Sequence, residues 1–164
     1  MPITPFHFGV GAAVHAIAPR RISFIAFCAA NVLIDIEPLY FMLTDNPPLH
    51  RFFHTYIGAL LVTLFTLGLF MVLRGFARRF WLPNLLNWQS LPLWAVMNGA
   101  LLGTLSHIVL DSFMHRDIHP FAPFSLQNSL WGTVDLGNLH WFCIITGIMG
   151  AGIAAWRVDQ RTRG

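Results

Sequence analysis

The sequence predicts an all-α protein, a polytopic membrane bundle of four or five transmembrane helices. Three observations predict it. Of 164 residues 55% are hydrophobic and only 10% charged, where soluble chains average about a quarter charged residues. Apolar runs of spanning length recur along the whole chain, with no Ser- or Gly-rich linker and no internal repeat between them, so residues 1–164 read as one integral-membrane domain. Finally, every Lys/Arg position is arginine, and these sit at the ends of apolar runs. They form no basic stripe, so the net charge of +3 points to membrane orientation and no nucleic-acid partner is expected.

Crossing about 30 Å of hydrocarbon takes about 20 apolar residues. Residues 22–44, 51–73, 92–113 and 139–156 meet that requirement, while 7–19 is short and is expected to be a half-span or tilted segment. Residues 1–8 lack the positive start of a signal peptide, so the N-terminus is expected to be retained. Residues 76–91 combine Arg78, Arg79, Trp81 and Trp88 with Pro83, which suits either an amphipathic surface segment or a plain loop. With alternating spans, Arg20, Arg21, Arg74, Arg78, Arg79, Arg157, Arg161 and Arg163 all fall on one side, which the positive-inside rule makes the inner one. The N-terminus, the 45–49 turn and the 116–138 loop then face outward. This is the orientation expected of a bacterial inner-membrane protein whose polar site faces the periplasm or exterior. Trp81, Trp88, Trp94 and Trp156 would form the inner aromatic belt, Trp131 and Trp141 the outer one. Cys28 and Cys143 lie inside apolar runs and read as buried small hydrophobes without a disulfide.

Ionisable residues in a span are costly and mark function by default. On the topology drawn from arginines alone, seven of the eight histidines fall on the outward side, together with three carboxylates. His50 and His54 are four apart at the start of a span, and His107 and Asp111 repeat that spacing near the end of another; a helix puts such pairs on one face. Asp35 and Glu37 are two apart, but Pro38 disfavours helical geometry at Glu37, and a local break can turn both carboxylates inward. With His7 these groups form a metal-ligand set of imidazoles and carboxylates for one or two divalent ions, zinc foremost, with manganese or iron compatible. His15 falls toward the inner arginines and is expected to be structural. His140, beside Trp141, is expected to be interfacial more than a peripheral ligand.

The run His50-Arg51-Phe52-Phe53-His54-Thr55 resembles the H-R-x-x-T-H-S type motif of predicted membrane-bound metal-dependent hydrolases, a family with a proposed distant similarity to zinc-dependent phospholipases. Ser106-His107-Ile108-Val109-Leu110-Asp111 is similar to its S-H-x-x-x-D element and residues 120–125 to its later P-F segment. His7 and Leu33-Ile34-Asp35-Ile36-Glu37 resemble its N-terminal histidine and P-D-x-D element. The likeness covers residues 1–125. Ile34 stands where the family has proline, Glu37 where it has aspartate, and residues 112–119 replace a threonine-glycine turn.

The resemblance implies a metal-dependent hydrolase acting on a lipid or lipid-linked ester, foremost a phosphoester, at the outer face. His7, Asp35, Glu37, His50, His54, His107 and Asp111 would hold metal, with one carboxylate left as general base. Arg51 and Arg116 would neutralise phosphate, and His115 or His119 would protonate the leaving group. The alternative class is a metal-ion transporter or a metal-binding membrane protein without hydrolysis; ligands crowded at one end, away from the midplane, weigh against transport. Haem held by two histidines fits poorly with the interspersed carboxylates.

Overall fold

The computed structural model describes residues 4–163; the expected retained start at residues 1–3 and the side chain of Arg161 lie outside what it describes. A 3₁₀ turn, Thr4–His7, leads into α1 (Phe8–Ile17), followed by α2 (Phe24–Ile34), α3 (Ile36–Leu43), α4 (Tyr56–Arg79), α5 (Leu93–Met114) and α6 (Leu136–Arg163). Among the described residues, four stretches are long and apolar enough to cross a membrane: Phe24–Leu43, Tyr56–Arg79, Leu93–Met114 and Leu136–Gln160. They match the four expected spans. The short fifth segment is α1, whose 10 residues reach about 15 Å, half of a hydrocarbon core.

Local chemistry sets the helix ends. Ser23 caps α2 by accepting the Ala26 N–H at 3.2 Å, and Thr55 caps α4 by accepting the Gly58 N–H at 3.0 Å. The cap at Thr55 moves the third span inward from its expected start at 51, because residues 50–55 form a loop. Between α2 and α3 the helix breaks at Asp35. Pro38 then falls in the first turn of α3, where its missing N–H costs no helical hydrogen bond. A break is present, but at Asp35 and not at Glu37, which is helical in the first turn of α3.

α5 is the central helix, packed by α2 on one side and α4 on another, while α1 lies chiefly along α6. Where lipid tails are as apolar as leucine, helices associate through close packing and internal hydrogen bonds. A Cβ on Gly9 would lie 2.9 Å from the Cys143 carbonyl carbon, so α1 can approach α6 closely only because this position is glycine. Across α4 and α5 the Thr63 and Thr104 hydroxyls hydrogen-bond at 2.9 Å in a fully buried contact. Ile34, Ala59, Val62 and Ile108 pack into a core where α2, α4 and α5 meet. Outward faces carry Leu61, Leu64, Phe65, Val72, Ile145 and Ile148 exposed, as lipid-facing surfaces require.

At the arginine-rich end, Ser23 N–H donates to Ala95 O at 2.9 Å, Asn98 Nδ2 to Arg21 O at 3.1 Å, and the Arg157 guanidinium to the Ala16 and Ile17 carbonyls left open at the end of α1. The 80–92 connection is a folded-back loop with one 3₁₀ turn, Leu85–Ser90, rather than a helix lying on the surface. Arg78 donates to Gln89 O at 3.0 Å. Trp88 turns inward onto Phe70, ring centroids 5.9 Å apart, and so leaves the inner belt, whereas Trp81, Trp94 and Trp156 are exposed there and Trp131 and Trp141 at the other end.

Candidate metal centre

The opposite end of the bundle brings together the α2–α3 break, the loop before α4, the last turns of α5 and the turn before α1. His107 and Asp111, one turn apart on α5, are 0% and 3% exposed. His107 Nε2 lies 3.1 Å from Asp35 Oδ1 and 3.3 Å from Asp111 Oδ2. His54, 0% exposed, directs Nε2 to Asp35 Oδ1 and Nδ1 to Glu37 Oε2, each at 3.6 Å. His7 places Nε2 3.2 Å from Asp111 Oδ1 and Nδ1 3.1 Å from His107 Nδ1.

Two imidazoles of the cluster donate through Nδ1 to an oxygen. The Asn31 amide donates through Nδ2 to Phe27 O at 2.9 Å, which leaves its Oδ1 to accept from His107 Nδ1 at 3.0 Å. Glu37 Oε2 stands 3.6 Å from His54 Nδ1, beyond hydrogen-bonding distance. Asp117 accepts from His50 Nδ1 at 3.0 Å and from the backbone N–H groups of Leu49 and His50, each at 3.2 Å. An oxygen at Nδ1 fixes the tautomer that keeps a lone pair on Nε2, the support that metal-binding histidines ordinarily have.

His50 and His54 do meet, with ring centroids 4.7 Å apart, but not on a helix face. They belong to the loop, and Glu37 holds it: Oε2 accepts the Arg51 N–H at 3.1 Å and the Phe53 N–H at 2.9 Å. His115 follows α5 and packs on His50 at 4.4 Å. Burial, reinforced by His54 and His115, pushes the His50 imidazole below its usual range against the opposing pull of Asp117. Burial also works to raise the Asp117 carboxyl, but the His50 amide and imidazole outweigh it and hold it below its usual value.

The donor set fits a cation. Atoms from Asp35, His54, His107 and Asp111 all lie within 4.8 Å of one another, as do atoms from His50, Asp111 and His115. Ligand atoms about 2.0–2.2 Å from one ion are necessarily about 3–4 Å apart. His7 Nε2, both ring nitrogens of His54, His107 Nε2 and Asp111 Oδ1 are buried and make no hydrogen bond, although carboxylates and imidazoles stand this close. Each such atom costs about 1–3 kcal/mol if left unsatisfied, and a divalent ion would satisfy one nitrogen of His54, His107 Nε2 and an Asp111 oxygen together while balancing the Asp35 and Asp111 carboxylates.

The sequence profile of the YdjM inner membrane protein family matches residues 1–163. The chain belongs to this family. Its place is therefore the inner membrane, with the cluster at the end of the bundle opposite most of the arginines. Comparison with curated proteins and with solved structures finds no match.

Other expected site residues of this YdjM-family chain lie apart from the two groups. The Arg51 guanidinium donates to the carbonyls of Asn46 at 2.8 Å and Pro48 at 3.0 Å and covers the Phe41 ring at 3.6 Å, so it is occupied in bracing its own loop. Arg116 is exposed, 5.5 Å above Trp131. His119 Nδ1 and His140 Nε2 are buried without a hydrogen bond, and His140 packs on Phe6 at 4.6 Å; neither belongs to the two ligand groups. His15 Nδ1 donates to Ile22 O at 2.6 Å, near the arginine end as expected. Asn31 and Asp117 are residues that sequence reasoning missed. Asn31 is four residues before Asp35 on α2, and that spacing was the signal.

Proposed function

We propose that this cluster is a metal centre, and that with it the YdjM-family protein hydrolyses an ester, foremost a phosphoester, of a lipid or lipid-linked substrate at the outer face of the inner membrane. One observation carries the reading: buried imidazole nitrogens of His54 and His107 without hydrogen bonds face two carboxylates, while the Asn31 oxygen supports the far side of His107. Asp35, His54, His107 and Asp111 would hold one ion, and His50, His115 and the shared Asp111 a second. Zinc suits the mixed set best, with manganese or iron compatible. A bound ion of this kind polarises an ester oxygen and lowers the pKa of water to about 7.

The chain's own groups supply the rest. Asp35 is the most open of the four residues in the first group, its side chain 27% exposed against 0% for His54, so substrate enters beside it. Exposed Arg116, beside His115 in the chain, would meet phosphate charge. Arg51 serves by fixing the loop that carries His50 and His54, and His7 by buttressing His107 and Asp111.

Elemental analysis of detergent-purified protein tests the metal. His54→Ala and Asp111→Asn should each lose most bound zinc, and His15→Ala should keep it. A screen of phospholipids and lipid-linked phosphates should then reveal one turned over by the parent protein and not by Asp111→Asn. Full occupancy in both folded ligand variants would end the metal reading; metal bound without turnover of any lipid would favour binding or transport.

A further inference from the structure

Two apolar grooves open on the lipid-facing side between α2 and α4. One, of about 330 Å³, is lined by Leu33, Ile36, Phe53, Leu61, Val62 and Phe65. The other, of about 350 Å³, lies toward the arginine end beside Ile25, Leu69, Leu73 and Trp88. They are similar in size and chemistry. They differ in what stands at the top.

The walls of the first groove adjoin the cluster in sequence and in space. Ile36 lies between Asp35 and Glu37, and Phe53 precedes His54. The open edge of the cluster, Asp35 with its side chain 27% exposed, is thus one residue along the chain from the groove wall at Ile36. Its lining residues on α4, Leu61, Val62 and Phe65, run about 6 Å along the helix at 1.5 Å per residue, below Phe53 of the loop and within the about 15 Å depth of one leaflet. A lipid of the cluster-side leaflet has this layout, with its polar ester at the surface and its tail directed toward the midplane.

We infer that this groove is an acyl subsite, holding one tail of a bilayer lipid whose phosphoester reaches the metal cluster. The inference rests on the proposed reading of the cluster as a metal centre acting on lipid. A tail entering the groove only exchanges one hydrocarbon surrounding for another, so it gains little hydrophobic free energy. What the groove adds is shape: Leu61 and Phe65 contact the tail and hold its ester beside Asp35, and fixed placement is what a reaction between bound groups requires.

The test uses the full chain in nanodiscs with phosphatidic acid carrying a diazirine midway along one tail. This lipid carries the exposed phosphate of a phosphatase substrate and is also the product of head-group cleavage. With zinc loaded, photolabelling of Leu61 and Phe65 should exceed that of the zinc-stripped protein at least fivefold, while labelling of Leu69 and Leu73 in the second groove stays constant. Leu61→Trp, at a half-exposed position, should reduce the Phe65 label at least fivefold with zinc content unchanged, and Leu73→Trp should not. Equal labelling of both grooves, indifferent to zinc, would mean annular lipid only and overturn the subsite while leaving a zinc-binding cluster intact. A chain that binds no zinc at all would remove the subsite together with the proposed function.

Discussion

Asn31 is uncharged, fully buried and outside both ligand groups, yet the orientation of His107 depends on it. Its amide is anchored to the Phe27 carbonyl and its oxygen accepts from His107 Nδ1, so Asn31→Ala frees the ring to rotate and removes the preference for the Nε2 lone pair. Loss of such a supporting partner typically costs 10–100-fold in metal affinity, and that is the expected shift in a chelator-competition titration of zinc. Asp117 plays the same part for His50. Asp117→Ala should therefore weaken the group formed with His115 and leave the first group intact; if two ions bind, stoichiometry falls from two to one. Equal loss at both groups would show that the two supports are not independent.

The loop between α3 and α4 does what a helix face was expected to do. Glu37 gathers the Arg51 and Phe53 amides, Arg51 braces the 46–48 carbonyls, and the loop lies so close over α4 that a Cβ on Gly58 would fall 2.7 Å from Phe53 Cα. Gly58→Ala should displace this backbone, at about 1–3 kcal/mol by analogy with overpacked cores, and lower zinc occupancy with it. Gly68→Ala, on the same helix with nothing within 4 Å of the added carbon, should be neutral or slightly stabilising; thermal unfolding with metal analysis compares the two. This loop also marks the limit of the sequence. The spacing of His107 and Asp111 was interpretable because α5 is regular through both residues. The equal spacing of His50 and His54 led to the right neighbours through the wrong element, since the carboxylates of Glu37 and Asp117, both outside the loop, hold its backbone amides. Arg51 was misleading for a related reason: its charge was visible, but the carbonyls that engage it were not.

Across the whole molecule, the alternation of apolar runs and arginines was legible because bilayer thickness and loop charge act on composition directly. It was enough to bring His7, Asp35, His54, His107 and Asp111 to one end. Labelling tests the direction in which that end faces. In a Cys28→Ser, Cys143→Ala background, single cysteines at Asn46 and Gln127 should react with an impermeant reagent added outside, and one at Asn84 should not; the reverse pattern would move the site to the cytoplasm. Gln127 is preferred to Asn128, whose amide donates to Ser112 O and His115 O at the end of α5.

Biosynthesis runs from the N-terminus, and the packing of α1 along α6 gives that direction a consequence. α1 is too short to cross the membrane alone, and its principal partner is the last helix, held through Gly9, Gly150 and Arg157. His7, which leads into α1, therefore gains the support of α6 only after every other helix of the cluster is made. A chain halted after Thr133 would already contain Asp35, His54, His107 and Asp111 but should take up zinc more weakly than the finished protein. Ion capture at full strength is then a step that follows the synthesis of α6, and a half-made chain in the membrane is spared from competing for metal.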